Sequence, residues 1–344
     1  MAKSRALDKR RKSIKNIRKI TRTMELVSTA QFKRAMDRAI AIDAYTKRII
    51  ALVHDLRQAE GQVEALHPLL QVHKPQKNAA LLVLTANRGM CGGYNSGILR
   101  LANPKLKELQ DKYEEVHLEV SGKRGIGAFR FRKINLDQEF IHFDDKPAFE
   151  QVDELAQRFY EEYVSGKIDR LDIVYQQFVT LSRQVPVVET LLPLSKASFS
   201  EELSDMEIAA AKEQEAKTES SRPKSAAELK KAALVAQADK MVASKAEKGL
   251  GESGLKKGVQ FDFLPSAQSI LDEVVPYAFR IKLYKCFLDA AVGEQIARMV
   301  AMKAATENAD GIIASLTTAY NRARQSQITS EISEIIGGAA ALEG

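Results

Sequence analysis

Ile17-Arg18-Lys19-Ile20-Thr21-Arg22-Thr23-Met24-Glu25-Leu26-Val27-Ser28 decides how this chain is read. Its apolar positions Ile17, Ile20, Met24 and Val27 follow one another in steps of three and four, the interval at which side chains share one face of an α-helix. Working outward, the pattern covers Arg5 to about Arg57 and takes in Ile42, Tyr45, Ile49, Leu52 and Leu56. It returns from Tyr277 to the end at Ile281, Tyr284, Leu288, Ile296, Met299, Leu316, Ile328, Ile332 and Ile335. So narrow a stripe is closer to a coiled-coil seam than to the wide face of a globular helix. Each helix needs a partner for its stripe, and the simplest partner is the other helix. At 1.5 Å per residue the first is about 80 Å long and the last about 95 Å. The C-terminal helix therefore projects, and its tip carries Ile328, Ile332, Ile335 and Ile336 with nothing in the chain to cover them. An apolar tip of that kind requires something to surround it.

The middle of the chain has a different period. Ala79-Ala80-Leu81-Leu82-Val83-Leu84-Thr85 is a continuous apolar run bounded by turn residues, the pattern of a buried parallel strand. Further strands are expected at 116–120, 140–143, 171–179 and 187–192, with helices following the first strand through about Lys112, at 123–132 and at 149–164. Strands alternating with helices indicate an open sheet. The expected fold class is α/β: a long antiparallel coiled coil of N- and C-terminal helices plus a small open, Rossmann-like body. The expected divisions are a coiled-coil helix over 1–60, the body over 76–199, a charged insertion over 200–258, and a C-terminal coiled-coil helix with a projecting tip over 265–344. The insertion carries eleven acidic residues, eleven basic ones and twelve alanines, too little apolar surface for a core of its own. Pro276 is expected to kink the last helix, so that its long part starts near Tyr277.

Charge is unevenly distributed. Residues 1–50 hold 15 Lys or Arg against Asp8, Glu25, Asp37 and Asp43, an excess of +11. Subtracting it from the whole chain's +7 leaves −4 for the remainder. A basic helix calls for an acidic partner, whether nucleic acid, lipid headgroups or a protein surface. Cys91 and Cys286 are the two cysteines. They form no disulfide framework, so a reducing compartment is the default. No apolar run approaches a bilayer span, and the basic N-terminus lacks the apolar stretch of a secretory signal.

Chemistry-bearing constellations are lacking. The glycine-rich turn Arg88-Gly89-Met90-Cys91-Gly92-Gly93 follows a strand and opens a helix, the place where phosphates are often cradled. It carries neither the lysine and hydroxyl of a P-loop nor the dinucleotide spacing. Gly89, Gly92 and Gly93 are read as a structural turn, and Cys91 as a small buried residue. His54, His67, His73, His117 and His142 show no ligand spacing. No catalytic residue, cofactor or metal site is expected.

Three stretches taken together carry a resemblance. They are Ile17–Ser28, Asn87-Arg88-Gly89-Met90-Cys91-Gly92-Gly93-Tyr94-Asn95, and Ala297-Arg298-Met299-Val300-Ala301-Met302-Lys303-Ala304-Ala305-Thr306-Glu307-Asn308-Ala309 with Tyr320–Glu331 after it. The sequence resembles the gamma subunits of F-type ATP synthases over nearly all its length, about 50 residues within 200–258 excepted. The resemblance implies a non-catalytic rotor, turning inside three alpha and three beta subunits. It also implies contacts of the body with the epsilon subunit and the c ring, and a peripheral place on the cytoplasmic face of the bacterial inner membrane. It implies coupling or beta-contact roles for Met24, Glu294, Arg298, Gln325 and Thr329, and a sleeve-bearing role for Ile328, Ile332, Ile335 and Ile336. Two features depart from the family pattern. Leu264 stands in Phe261-Asp262-Phe263-Leu264-Pro265 where many bacterial members carry glutamate. The insertion holds no cysteine, so the thiol switch of photosynthetic members has no counterpart. Two rival readings are a nucleic-acid-binding coiled coil using the basic helix, and a nucleotide-dependent enzyme built on the α/β body. Neither accounts for the tip.

Overall fold

The computed structural model describes residues 2–60, 67–143, 146–181, 183–194 and 267–343. The charged segment 200–258 and the stretch 261–265 lie outside the described residues. The chain divides into two compact units. One comprises Met1–Gln31, Met90–Gly92 and Gln295–Gly344, the other Phe32–Gly89 and Gly93–Glu294. Two helices run through the terminal regions, α1 (Ala2–Glu60) and α5 (Ala267–Glu343).

The larger unit contains β1 (Asn78–Leu84), α2 (Tyr94–Lys112), β2 (Glu115–Ser121), α3 (Lys123–Phe131), β3 (Gln138–Phe140), α4 (Phe149–Val164), β4 (Arg170–Thr180) and β5 (Arg183–Leu192). The strands form one sheet in the order β3-β2-β1-β4-β5. β1 pairs in parallel with β2 and β4, β2 in parallel with β3, and β5 runs antiparallel to β4. From Ala79 to Leu84 every residue of β1 is buried, because a central parallel strand is covered on both faces. The strand order is that of a Rossmann-type half, with an antiparallel strand added at one edge.

Two strands differ from the sequence expectation. β5 starts at Arg183, upstream of Pro186, which pairs with Gln176. Proline is tolerated there because β5 is an edge strand and needs no ladder donor on its open side. β3 covers Gln138–Phe140, upstream of the expected 140–143. Phe140, His142 and Phe143 instead form a ring cluster, and Phe143 packs on Phe287 of α5 at 4.7 Å between centroids.

α5 begins ten residues before Tyr277 and runs without interruption through Pro276. The missing amide donor is tolerated because Val275, Ala278 and Phe279 are buried around it and hold the helix by packing. From Ala278 to Glu294 every residue but Arg280 and Lys285 is buried. This part of α5 is enclosed on all sides and bears no single stripe.

His67 is buried, and its Nδ1 accepts the Leu69 N–H at 3.2 Å, capping a one-turn 3-10 helix over Pro68–Leu70. Burial holds its pKa below the ordinary 6.5, and the Asp272 charge opposes that only in part. The folded state therefore favours neutral imidazole. Its contribution to stability is complete above pH 6.5 and is lost as pH falls below it. Denaturant unfolding is expected to show a loss of stability as pH falls below about 6.5 that is smaller in His67→Asn, which keeps an acceptor but does not titrate. Equal losses in the two proteins would remove His67 as the source.

In the smaller unit α1 and α5 run antiparallel. Ser4 Oγ donates to Gln327 Oε1 at 2.9 Å, and Arg11 lies 4.7 Å over the Tyr320 ring. Further along, Arg18 pairs with Asp310 at 2.5 Å, and Thr306 Oγ1 donates to Thr21 Oγ1 at 2.8 Å. Numbers rise on one helix as they fall on the other.

The seam is not the apolar stripe read from the sequence. On α1 the buried residues of this unit are Thr21, Glu25 and Ser28, and on α5 Gln295, Ile296, Arg298, Met302, Thr306 and Ala309, of which only Ile296 belongs to the stripe. Ile17, Ile20 and Val27 are exposed, and Met24 is half-buried. At 100° per residue the apolar stripe is turned from the seam by about a quarter turn. Small and hydroxyl side chains such as Thr21, Ser28, Thr306 and Ala309 allow the two helices to approach, and the Thr306 and Thr21 hydroxyls form a hydrogen bond across the seam. The isoleucines are thereby left facing outward. Tyr45, Ile49, Leu52 and Leu56 lie outside the residues whose side chains are described.

Candidate functional site

The helix pair of the smaller unit presents three kinds of surface. The first is the outward apolar stripe of Ile17, Ile20 and Val27, with Val300 and Ile312 exposed on α5. The second is basic: among the exposed residues of α1 are Arg5, Lys9, Arg10, Lys12, Lys15, Lys19 and Arg22. The carboxylates near them are already engaged. Asp8 takes Arg11 at 2.6 Å and Lys12 at 2.9 Å, and Glu25 takes Arg22 at 2.8 Å. Hydrogen bonds from Lys12 and then Arg11 hold the Asp8 carboxyl below its usual range. The third surface is the end of α5. Gln327 is level with Ser4, so the residues beyond it have no more than the first few residues of α1 beside them.

On that end Ile328, Ile332, Ile335 and Ile336 are all exposed and occupy one face at steps of four, three and one. Gln325 and Thr329 are exposed one turn apart, with Thr329 Oγ1 donating to the Gln325 carbonyl at 3.0 Å. Arg298 and Glu294 are buried within the chain, and Met24 is half-buried. The five residues expected to act in coupling are thus not gathered on one surface. Two face outward, two are interior, and Met24 lies between. What the sequence reading missed is that Ile17, Ile20 and Val27 belong to the outer surface. The available signal was the parallel run Thr21, Glu25, Ser28 at the same helical spacing, small and polar enough to form a close seam.

The glycine-rich turn divides in the same way. Gly92 has φ +55°, a left-handed conformation, and a Cβ there would meet Ala301 Cβ at 3.7 Å. The turn is therefore packed directly against α5. Neither Gly89 nor Gly93 needs a positive φ, and only the flexible end of Arg124 crowds Gly89. The glycines with the tightest surroundings are Gly122 and Gly125, at the turn from β2 into α3. Among the described residues no group of three His, Cys, Asp or Glu side chains is arranged to hold a metal ion.

A sequence model of the family described as ATP synthase matches residues 3–342. The ATP synthase gamma chain of Rhodopirellula baltica is 47% identical, over 100% of both chains. This chain belongs to the ATP synthase gamma-chain family. The gamma chain of Leptospira biflexa is 32% identical over 99% of this chain and 100% of its own. In fold, the gamma-family chain is similar to one in the Euglena gracilis mitochondrial ATP synthase, solved as OSCP/F1/c-ring in rotational state 3. The TM-score is 0.55 at 18% identity, covering 99% of this chain and 95% of that one. For the gamma-family chain described here, no helix among the described residues is long and apolar enough to cross a membrane.

Proposed function

We propose that this chain is the central-stalk rotor subunit of an F1Fo ATP synthase. It couples ion-driven rotation of the c ring to conformational cycling of the catalytic beta subunits during ATP synthesis and hydrolysis, and performs no bond chemistry itself. The observation that carries this reading is the end of α5, a helix that outruns its partner and bears four exposed isoleucines on one face. Three alpha and three beta subunits supply the sleeve around it, and the epsilon subunit and c ring engage the body. The assembly is peripheral, on the cytoplasmic face of the bacterial inner membrane.

The surface chemistry suits a turning shaft. An exposed ion pair is worth about 0–1 kcal/mol, weak enough to break and re-form at each step. The basic face of α1 meets carboxylates of the sleeve in this way, and the apolar stripe provides non-directional contact that turns without a fixed register. Gln325 and Thr329 touch the beta subunits directly. Met24, Glu294 and Arg298 act by holding the helices that present them.

Copurification of the tagged chain with its alpha and beta subunits tests the reading. The expected result is a complex with three of each and ATPase activity. Gln325→Ala is expected to lower that activity about fivefold, as for loss of one hydrogen bond of about 1 kcal/mol, with assembly intact. Recovery of nucleic acid without ATPase, with steep salt dependence, would instead favour the basic-helix reading.

A further inference from the structure

Within the larger unit the first third of α5 is gripped from two sides. On one, Arg280 reaches α4, with Nη1 at 3.4 Å from Asp153 Oδ1 and Nη2 donating to Gln157 Oε1. On the same side the Tyr284 hydroxyl donates to the Pro147 carbonyl at 3.4 Å, and its ring meets Phe149 edge-on. On the other, the Tyr94 hydroxyl of α2 donates to the Ala290 carbonyl at 3.0 Å. Gly293 there admits Gln176 of β4 so closely that a Cβ would lie 3.1 Å from its Cγ.

One contact on this second side is ionic. Lys282 Nζ lies 2.8 Å from Glu189 Oε1 of β5, with the lysine side chain only 3% exposed and the glutamate 24%. Glu189 Oε2 also accepts the Tyr175 hydroxyl of β4 at 2.9 Å. Two strands therefore hold the carboxylate that the helix engages. Burial tends to raise the Glu189 pKa, but the Lys282 charge and hydrogen bond outweigh it, so the carboxyl is held below its usual range and stays ionised.

We infer that the Lys282–Glu189 pair is the key that locks α5 to the sheet against rolling about its own axis, so that torque passes between body and helix without slip. The inference rests on the rotor reading. Its physical basis is directionality. Apolar contacts around a buried helix are non-directional and yield to a small roll. A group at the helix surface sits about 6 Å from the axis, so a roll of about 30° carries it roughly 3 Å, enough to break a hydrogen-bonded pair. Lys282 and Glu189 are positioning residues in this scheme.

The experiment uses the alpha–beta complex of this chain, fixed through its beta subunits, with a bead on a cysteine introduced by Phe131→Cys. Phe131 is 90% exposed on the body, whereas Cys91 and Cys286 are buried and escape labelling. Torsional stiffness between bead and sleeve is read in the parent and in a variant combining Glu189→Leu, Lys282→Met and Tyr175→Phe. Apolar replacement of all three partners preserves packing, so the variant is expected to unfold close to the parent while its stiffness falls about twofold. Lys282→Arg is expected to retain the parent stiffness. Parent stiffness in the triple variant would overturn the inference and leave the pair with a merely structural role. A parent bead that does not rotate with ATP would overturn the rotor reading, and the inference with it.

Discussion

Replacing Ile328, Ile332, Ile335 and Ile336 together by alanine is expected to weaken association with the alpha and beta subunits by about three orders of magnitude. The four side chains are 44%, 50%, 71% and 64% exposed, and they share one face of α5. Ser4, in the first turn of α1, is level with Gln327, and the four isoleucines lie beyond it on α5. The apolar area they leave in water is therefore area a sleeve must remove. Burying a methylene is worth about 0.8 kcal/mol, so removing the three outer carbons of a half-covered isoleucine forfeits about 1 kcal/mol. Four of them forfeit about 4 kcal/mol, roughly a thousandfold in Kd. Alanine is the best helix former, so the end of α5 stays helical and the comparison isolates burial. Titration of the purified chain into alpha and beta subunits, with circular dichroism as the check on helicity, measures the effect. An unchanged Kd would mean that the tip is not held in a sleeve.

Gly122→Ala is expected to destabilise the α/β body by about 4 kcal/mol, against a total of about 5–15 kcal/mol for a domain. Gly122 has φ +99°, and a Cβ there would lie 2.1 Å from the Thr85 carbonyl oxygen and 2.5 Å from its carbon. Both obstacles are backbone, so no rotamer relieves them. The surrounding turn is also fully committed. Gly122 N–H donates to the Phe140 carbonyl at 2.9 Å, Thr85 N–H to the Ser121 carbonyl at 2.8 Å, and Gly125 N–H to Thr85 Oγ1 at 2.9 Å. Accommodating a methyl group means separating β1 from the turn that ends β2. Gly127 supplies the control. It lies within α3 with nothing within 4 Å of a Cβ, so Gly127→Ala is expected to stabilise by about 1 kcal/mol. Urea unfolding of the two variants measures the difference, and similar midpoints would refute the steric account.

The sheet was largely legible because its central strand is a continuous apolar run, which only a doubly covered parallel strand tolerates. The edges were less so. β3 is three residues long, too short to show a period, and its aromatic neighbours attracted the assignment to themselves. The strand expected at 187–192 starts at Arg183 and takes in Pro186, because an edge strand admits proline without losing a ladder bond. Pro276 read as the point where the long part of the helix begins, although the helix starts ten residues earlier, at Ala267. Gly89, Gly92 and Gly93 stood out because they are clustered. Gly122 and Gly125 did not, since what excludes a side chain there is Thr85, remote in sequence.

The sequence by itself determined that both ends are long helices, that a parallel sheet lies between them, that the last helix outruns the first, and which family's motifs the chain bears. Those facts depend on local period, length and residue identity. Tertiary structure decided which faces meet. Ile17, Ile20 and Val27 formed the evident stripe, yet Thr21, Glu25 and Ser28 face α5 and the isoleucines face outward. It also decided that Lys282 is enclosed against Glu189. A helical period reports that a face must be covered. It carries no information about what covers it, because burial by the chain's own partner helix and burial by another subunit remove the same apolar area from water.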